Sequence, residues 1–400
     1  MASKGFSINI QTILLRCALS VTEATHYLLE MSDCIMILDT NVAAKINSLL
    51  QDEESRRVFT KRIALSIINS HENTRELARL YNPEIFDRVR VFTERGYKVC
   101  VYGVGNDPWH PGRVMCEIFR DQLAGVFDRN AHVIDKIELI YYGVGEIDLG
   151  NVPVLPPEEI SRVLPNIVVI VTTPNPTFQK EIFEKLTRLD VQGANIIFLP
   201  SSYSPGSHDY FAHQFLKYDA NEALVDCGCL DGKTSKLFID AVHACGNKQA
   251  SIAKIFAYEP DNGSFNVCCG NLSCVPFAQV KNAAVWSKTQ PVSFNTELEK
   301  TARRVDEGGS VTVDAVTLDD DLEGERVSFI KMDIEGAELN ALKGAEKIIR
   351  LNRPTLAISV YHTPDAILTI PEFIMNLELN YRFYLRHQSM LRYDTVLYAV

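Results

Sequence analysis

The stretch Val225–Ser235, VDCGCLDGKTS, decides the fold. An apolar run, Ala223–Asp226, leads into it, and a helical pattern, Lys233–Val242, leads out. Gly228 and Gly232 have GxxxG spacing rather than the GxGxxG of a dinucleotide site. Glycine serves the same end here: a tight turn and close backbone approach to a ligand beside a helix N-terminus. Outward along the chain, Ile255–Tyr258 reads as the next strand and ends in Glu259. A carboxylate there can accept hydrogen bonds from ribose hydroxyls.

Lys233 lacks the GxxxxGK spacing of a phosphate-binding loop. The cradle therefore suits a nucleoside cofactor without phosphate. S-adenosylmethionine meets that description, and its cationic amine and sulfonium suit Asp226. The cofactor-binding candidates are Asp226, Gly228, Gly232 and Glu259.

Further on, Val327–Met332 reads as a strand ending in Asp333, followed by Glu335, Gly336 and Glu338. Open α/β sheets bind ligands at the carboxyl ends of their strands. Three acids there could stabilise a substrate hydroxyl, hold a divalent metal or cap a helix N-terminus. A divalent metal is compatible with them, but no metal site is predicted. Leu356–Val360 is the next strand, and His362 follows it in SVYHTPD. An alcohol is a poor nucleophile at neutral pH, and histidine titrates in the range a general base needs. Asp333 and His362 are the catalytic candidates, Asp333 orienting and His362 accepting the proton. His387, in YLRHQS, is the weaker histidine.

From about 215 to 400 the chain resembles the FkbM family of S-adenosylmethionine-dependent methyltransferases. The resemblance is carried by VDCGCLDGKTS (225–235), AYEPD (257–261), VTLDD (316–320), FIKMDIEGAELNALKGA (329–345) and DTVLYAV (394–400). It implies a class I methyltransferase fold with a Rossmann-like seven-stranded sheet. It also implies O-methylation, often of sugars or of hydroxyls on secondary metabolites.

Upstream, strand and helix signals alternate over 91–205, which predicts a smaller Rossmann-like α/β domain. Lys98–Tyr102 is followed by Gly103–Val104–Gly105, and Leu123–Phe127 by Asp128. The separation of Gly105 and Asp128 is that of a dinucleotide fingerprint, but Pro108 stands where its third glycine belongs. VYGVG, VFDRN and VPVLPPEEI resemble the small Rossmann-type domains that precede some sugar-modifying transferases.

Residues 1–90 read as a helical segment suited to a cap or a homodimer contact. Asp52 is its clearest cap, with Glu53 and Glu54 in the first turn and a stripe of Val58, Phe59, Ile63 and Ile67. Ser201–Gly206, SSYSPG, reads as a linker, so the last domain runs from 206 to 400.

Composition narrows the function classes. The 400 residues carry 40 Lys and Arg against 51 Asp and Glu, a net charge of −11, which disfavours a nucleic-acid partner. No apolar run is long enough to cross a membrane, and Ile13–Val21 lacks the features of a signal peptide. The ten cysteines show no zinc spacing and suit reduced thiols in the cytoplasm. The expected function is methyl transfer to a hydroxyl of a small-molecule or saccharide substrate. Two alternatives are an NAD(P)-dependent sugar-nucleotide oxidoreductase or epimerase using the 91–205 domain, and a non-catalytic binding protein. The upstream block has no Tyr-x-x-x-Lys pair for hydride transfer.

Overall fold

The computed structural model describes residues 39–68, 71–105, 110–134, 138–141, 145–148, 152–173, 175–200, 210–294, 311–390 and 392–400. The readings on Ile13–Val21, Pro108 and the SSYSPG linker lie outside these residues. The described residues fall into two compact units. One holds the residues up to 68 together with 210–386 and 395–400, and the other holds those from 71 to 200 together with 387–394.

The first unit is built on seven strands. In chain order they are β1 (Glu222–Cys227), β2 (Ile252–Tyr258), β3 (Ala278–Lys281), β4 (Phe329–Met332), β5 (Thr355–Ser359), β6 (Phe383–His387) and β7 (Thr395–Ala399). Their order across the sheet is β3-β2-β1-β4-β5-β7-β6. The first five run parallel, and β7 is antiparallel to β5. Every residue of β1 and β4 is buried, as expected of parallel strands covered on both faces. The chain leaves β1 towards β2 on one side, while β4 lies on the other. That reversal opens a crevice outside the carboxyl ends of β1 and β4. Aromatic rings fill one side of the core: Phe211 packs edge-on against Phe238 and Phe329, each at 5.3 Å between centroids.

The helix Glu53–Ile67 belongs to this unit and starts as its sequence requires. Asp52 Oδ1 accepts from Ser55 N at 2.8 Å, and Val58, Phe59 and Ile63 are buried. Ile67, at the helix end, is exposed. Arg386 donates to Asp52 Oδ2 at 2.7 Å. Burial acts to raise the Asp52 carboxyl, but its bonds from Arg386 and Ser55 outweigh this and hold it at about 2.

Two features of this unit depart from the sequence expectation. The sequence reads as one helix over 337–350, where the structure has two, Glu338–Lys343 and Glu346–Asn352, parted at Gly344. A Cβ at Gly344 would lie 2.1 Å from Trp286 O, so glycine lets two backbones meet there. The strand β3 and a three-stranded sheet of 284–285, 290–294 and 311–316 were not expected. These strands are short and lack the unbroken apolar run that marks a buried strand.

The second unit carries five parallel strands in the order 154–155, 123–127, 98–102, 167–171, 196–198. Its helix Pro176–Arg188 is capped by Asn175, whose side chain accepts from Thr177 N. The sequence reads as a helix over 113–122, where the structure has Pro111–Ile118 followed by a short 3-10 turn. A hairpin pairs 138–141 with 145–148. Buried Glu117 pairs with Arg392 at 3.1 Å within this unit.

Candidate functional site

The turn after β1 is held from three directions. Gly228, Leu230 and Gly232 have φ of 76°, 48° and 80°. Gly228 N and Cys229 N donate to Tyr258 O at the end of β2. A Cβ on Gly228 would stand 2.0 Å from Asp333 O, so the β1 turn and the β4 turn pack backbone to backbone. Gly232 caps the following helix, and a Cβ there would press on Cys268 Sγ and Leu272.

Asp226 is fully buried. Its Oδ2 accepts from Ser235 Oγ at 2.8 Å, and its Oδ1 stands 3.1 Å from Lys331 Nζ. Lys331, in β4, is also buried and donates to Gly228 O at 2.8 Å and Cys227 O at 3.2 Å. Burial acts to lower the Lys331 ammonium, but Asp226 and Asp333 outweigh it and hold the pKa above the ordinary lysine value. The lysine therefore stays charged, compensates Asp226 and fixes the turn's carbonyls. Sequence reasoning missed it; the signal was a lysine inside the apolar strand FIKM.

Glu259, 7 % exposed, follows β2. Its Oε2 accepts from Leu230 N at 3.0 Å and its Oε1 from Asp261 N at 2.9 Å. Each oxygen retains a lone pair for a ribose hydroxyl. Burial pushes the carboxyl up to about 7, against the lowering effect of those two N–H bonds. Asp226, Gly228, Gly232 and Glu259 thus border one turn.

Asp333 lies just past β4. Its Oδ2 accepts from Tyr210 Oη and its Oδ1 from Tyr361 Oη, both at 2.9 Å. His362 Nε2 stands 3.4 Å from Asp333 Oδ1 and 3.4 Å from Glu335 Oε2. Its Nδ1 stands 2.8 Å from Glu338 Oε1. That same oxygen accepts from Ile334 N at 2.9 Å and Gly336 N at 3.4 Å, so Glu338 both caps the turn and flanks the ring. Burial acts to lower His362, but Glu338, Glu335 and Asp333 overcome it and push the imidazole up to about 10. The two catalytic candidates are therefore adjacent. An imidazole raised in this way is biased towards its protonated form.

Tyr210 and Tyr361 were not singled out by sequence. Tyr361 precedes His362 and had that cue; Tyr210 had none. The helical segment also holds a group near the site: Arg62, 6 % exposed, donates to Tyr361 O at 2.9 Å. His387 ends β6 at the sheet's edge, beyond β7. The run Asp319–Asp321 is structural. Asp319 accepts from Lys347 N and Ile348 N, and Asp321 accepts from Tyr258 Oη and Lys281 Nζ. Cys227 and Cys229 are buried thiols raised by burial, Cys229 chiefly by its Cys268 neighbour.

Residues 193–383 match the family model described as the methyltransferase FkbM domain. The chain carries an FkbM methyltransferase domain. Its seven-stranded sheet has the class I methyltransferase fold, and the domain's activity is S-adenosylmethionine-dependent methyl transfer. Among solved structures, the FkbM methyltransferase of Methylobacillus flagellatus KT is 18% identical with a TM-score of 0.46. That match covers 83% of this chain and 98% of the other. An O-methyltransferase from Bacillus cereus in complex with S-adenosylhomocysteine is 12% identical, TM-score 0.31, covering 57% and 91% of the two chains. Fibrillarin from Aeropyrum pernix with bound S-adenosylmethionine is 10% identical, TM-score 0.32, covering 48% and 71%. No curated protein matches the chain significantly.

The second unit's glycine turn differs from that of the FkbM domain. Asp128 Oδ2 accepts from Val104 N at 2.9 Å and Gly105 N at 3.3 Å, and its Oδ1 from Asn130 N at 2.8 Å. Arg113 donates to Val104 O at 3.2 Å and Gly105 O at 2.9 Å. A Cβ at Gly105 would lie 2.6 Å from the His110 ring, and one at Gly112 would lie 1.8 Å from Gly103 O. The amides and carbonyls of Val104 and Gly105 are bound to the chain itself.

Proposed function

We propose that this protein transfers the methyl group of S-adenosylmethionine to a hydroxyl of a small-molecule or saccharide acceptor. The observation that carries the reading is the packing of Gly228 on Asp333 O, which makes the cofactor turn and the strand-end acid one site. Asp226 and Lys331 fix the turn. Gly228 and Gly232 give the backbone its approach, and Glu259 takes the ribose hydroxyls.

In the reaction the acceptor oxygen attacks the methyl carbon as the carbon–sulfur bond breaks. The products are an ether, S-adenosylhomocysteine and the proton of the hydroxyl. Asp333 is the acceptor of that hydroxyl's hydrogen bond and proton, since His362 already carries a proton at neutral pH. Tyr210 and Tyr361 orient the carboxylate. Holding oxygen and methyl in line can contribute ~7–11 kcal/mol of barrier lowering. No described helix is long and apolar enough to cross a membrane. The eight described cysteines are all free thiols, which supports a reducing cytoplasmic setting.

The test is calorimetric titration of the purified chain with S-adenosylhomocysteine, NAD and a nucleotide sugar. It is followed by a radiolabelled-methyl assay over hydroxylated acceptors. Saturable S-adenosylhomocysteine binding with label recovered in an ether is the expected result. Silence toward it with clear NAD binding would move the chemistry to the second unit and overturn the reading.

A further inference from the structure

We propose that His362 Nε2 and Asp333 Oδ1, with Glu335 Oε2 beside them, ligate a divalent cation of the Mg²⁺/Mn²⁺ class. Among the described residues, Asp333, Glu338 and His362 bring potential ligand atoms within 4.8 Å of one another, and Glu335 Oε2 reaches the same ring. The acids do not carry the inference by themselves; the histidine does. Its side chain is 6 % exposed, and neither ring nitrogen makes a well-directed hydrogen bond. Both nevertheless face carboxylate oxygens at 2.8–3.4 Å. A buried imidazole set among three carboxylates without good hydrogen-bond geometry is arranged as a ligand is.

The geometry also separates inner from outer groups. One imidazole offers one nitrogen to a cation, and a metal-binding histidine almost always gives its other N–H to a carboxylate. Glu338 Oε1 occupies that outer place at 2.8 Å from Nδ1 and is anchored there by Ile334 N and Gly336 N. This leaves Nε2 to the cation. The oxygens beside Nε2 are Asp333 Oδ1 and Glu335 Oε2, each at 3.4 Å. Octahedral ligands at ~2.1 Å from Mg²⁺ lie about 3.0 Å apart along an edge, so each of these two carboxylates is only slightly farther from Nε2 than neighbouring ligands would be. Two hard carboxylates with one imidazole suit Mn²⁺ and Mg²⁺ better than a thiolate-seeking metal. Three remaining positions would stay open to water or an acceptor.

The role of the cation, though not its binding, rests on the methyl-transfer reading. A divalent charge beside Asp333 would make the acceptor's hydroxyl proton easier to lose, and its binding would displace the proton from His362 Nε2.

The experiment uses the full chain, stripped with chelator and titrated with Mn²⁺ under electron paramagnetic resonance, with S-adenosylhomocysteine affinity measured in parallel. One Mn²⁺ per chain is expected, displaced by excess Mg²⁺. Glu335→Gln, at a partly exposed side chain that does not endanger folding, and His362→Gln should each weaken it at least about tenfold, in line with the loss of a metal-site group. Both should keep S-adenosylhomocysteine affinity. A chain that binds S-adenosylhomocysteine but no stoichiometric Mn²⁺ overturns the site and leaves the methyl-transfer reading intact. Mn²⁺ binding of equal affinity in both variants also overturns it, since the ion then sits elsewhere. Mn²⁺ binding lost in both variants, by a chain that binds no S-adenosylhomocysteine, upholds the site and removes the role assigned to it.

Discussion

Among the described residues, two glycine turns each follow a parallel strand and face an acid at the end of the neighbouring strand. After 98–102, Asp128 takes two amides of the turn and Arg113 takes two of its carbonyls. After β1, Glu259 takes one amide of the turn and one of its own loop, while the charged groups around Asp333 meet one another. The first arrangement satisfies the backbone and finishes there. The second gathers three carboxylates, an imidazole and two phenols at the ends of β4 and β5, at the cost of burying charge. Glycine spacing is thus a statement about backbone approach; what approaches is decided by the side chains around it.

The comparison breaks most sharply at the two acids. Asp333→Asn should lower methyl transfer by ~10²–10⁴, the usual range for a lost proton acceptor, with S-adenosylhomocysteine affinity kept. Asp128→Asn should leave that affinity unchanged. Equal losses of turnover in the two variants would erase the distinction. Initial rates with any accepted hydroxyl, beside calorimetry, make the check.

Next come the buried ion pairs. Lys331→Met leaves Asp226 charged and uncompensated, and removing one partner of such a pair costs about 3–5 kcal/mol. Arg392→Met removes one partner of buried Glu117 in the second unit. Urea unfolding should show both losses, but only Lys331→Met should also weaken S-adenosylhomocysteine, because only Lys331 fixes the carbonyls of the cofactor turn.

The turns themselves give a smaller effect. Gly228→Ala forces a Cβ onto Asp333 O at a φ of 76°, and left-handed strain alone costs roughly 1–3 kcal/mol. A loss of at least about tenfold in S-adenosylhomocysteine affinity is expected, equivalent to about 1.4 kcal/mol. Gly112→Ala should destabilise the second unit through its clash with Gly103 O and leave that affinity within about twofold.

These contrasts also mark what the sequence could disclose. The β1 turn, Glu259, Asp333 and His362 were legible because strand ends follow apolar runs, and those ends are where parallel sheets place ligands. The partners were not. Nothing local announces that Tyr210 reaches Asp333 from 123 positions away, or that Arg62 meets Tyr361 O. The proton state of His362 depends on Glu335 and Glu338 folding back over it, a product of the turn after β4. Gly105 and Asp128 matched a familiar spacing, yet Arg113 and His110 close on that turn from the following helix and its cap. Spacing records what a turn permits, whereas occupancy is settled by residues distant in the chain.

The smallest effect sharpens the role of Glu259. Burial holds its folded pKa at about 7, above the ordinary glutamate value of 4.5. A group raised in this way stabilises the fold below its unfolded pKa, and that contribution is lost as pH climbs through the folded value. The empty protein should therefore lose stability between pH 4.5 and about 7. Ribose binding runs the other way, because the carboxylate accepts hydrogen bonds that the protonated acid cannot. Affinity for S-adenosylhomocysteine should rise severalfold from about pH 6 to pH 8, on the order of one hydrogen bond to a charged group. Glu259→Gln should flatten both trends and bind at the native protein's low-pH level. A native affinity independent of pH, with the stability trend intact, would assign Glu259 to the architecture of the turn alone and bring it into line with Asp128.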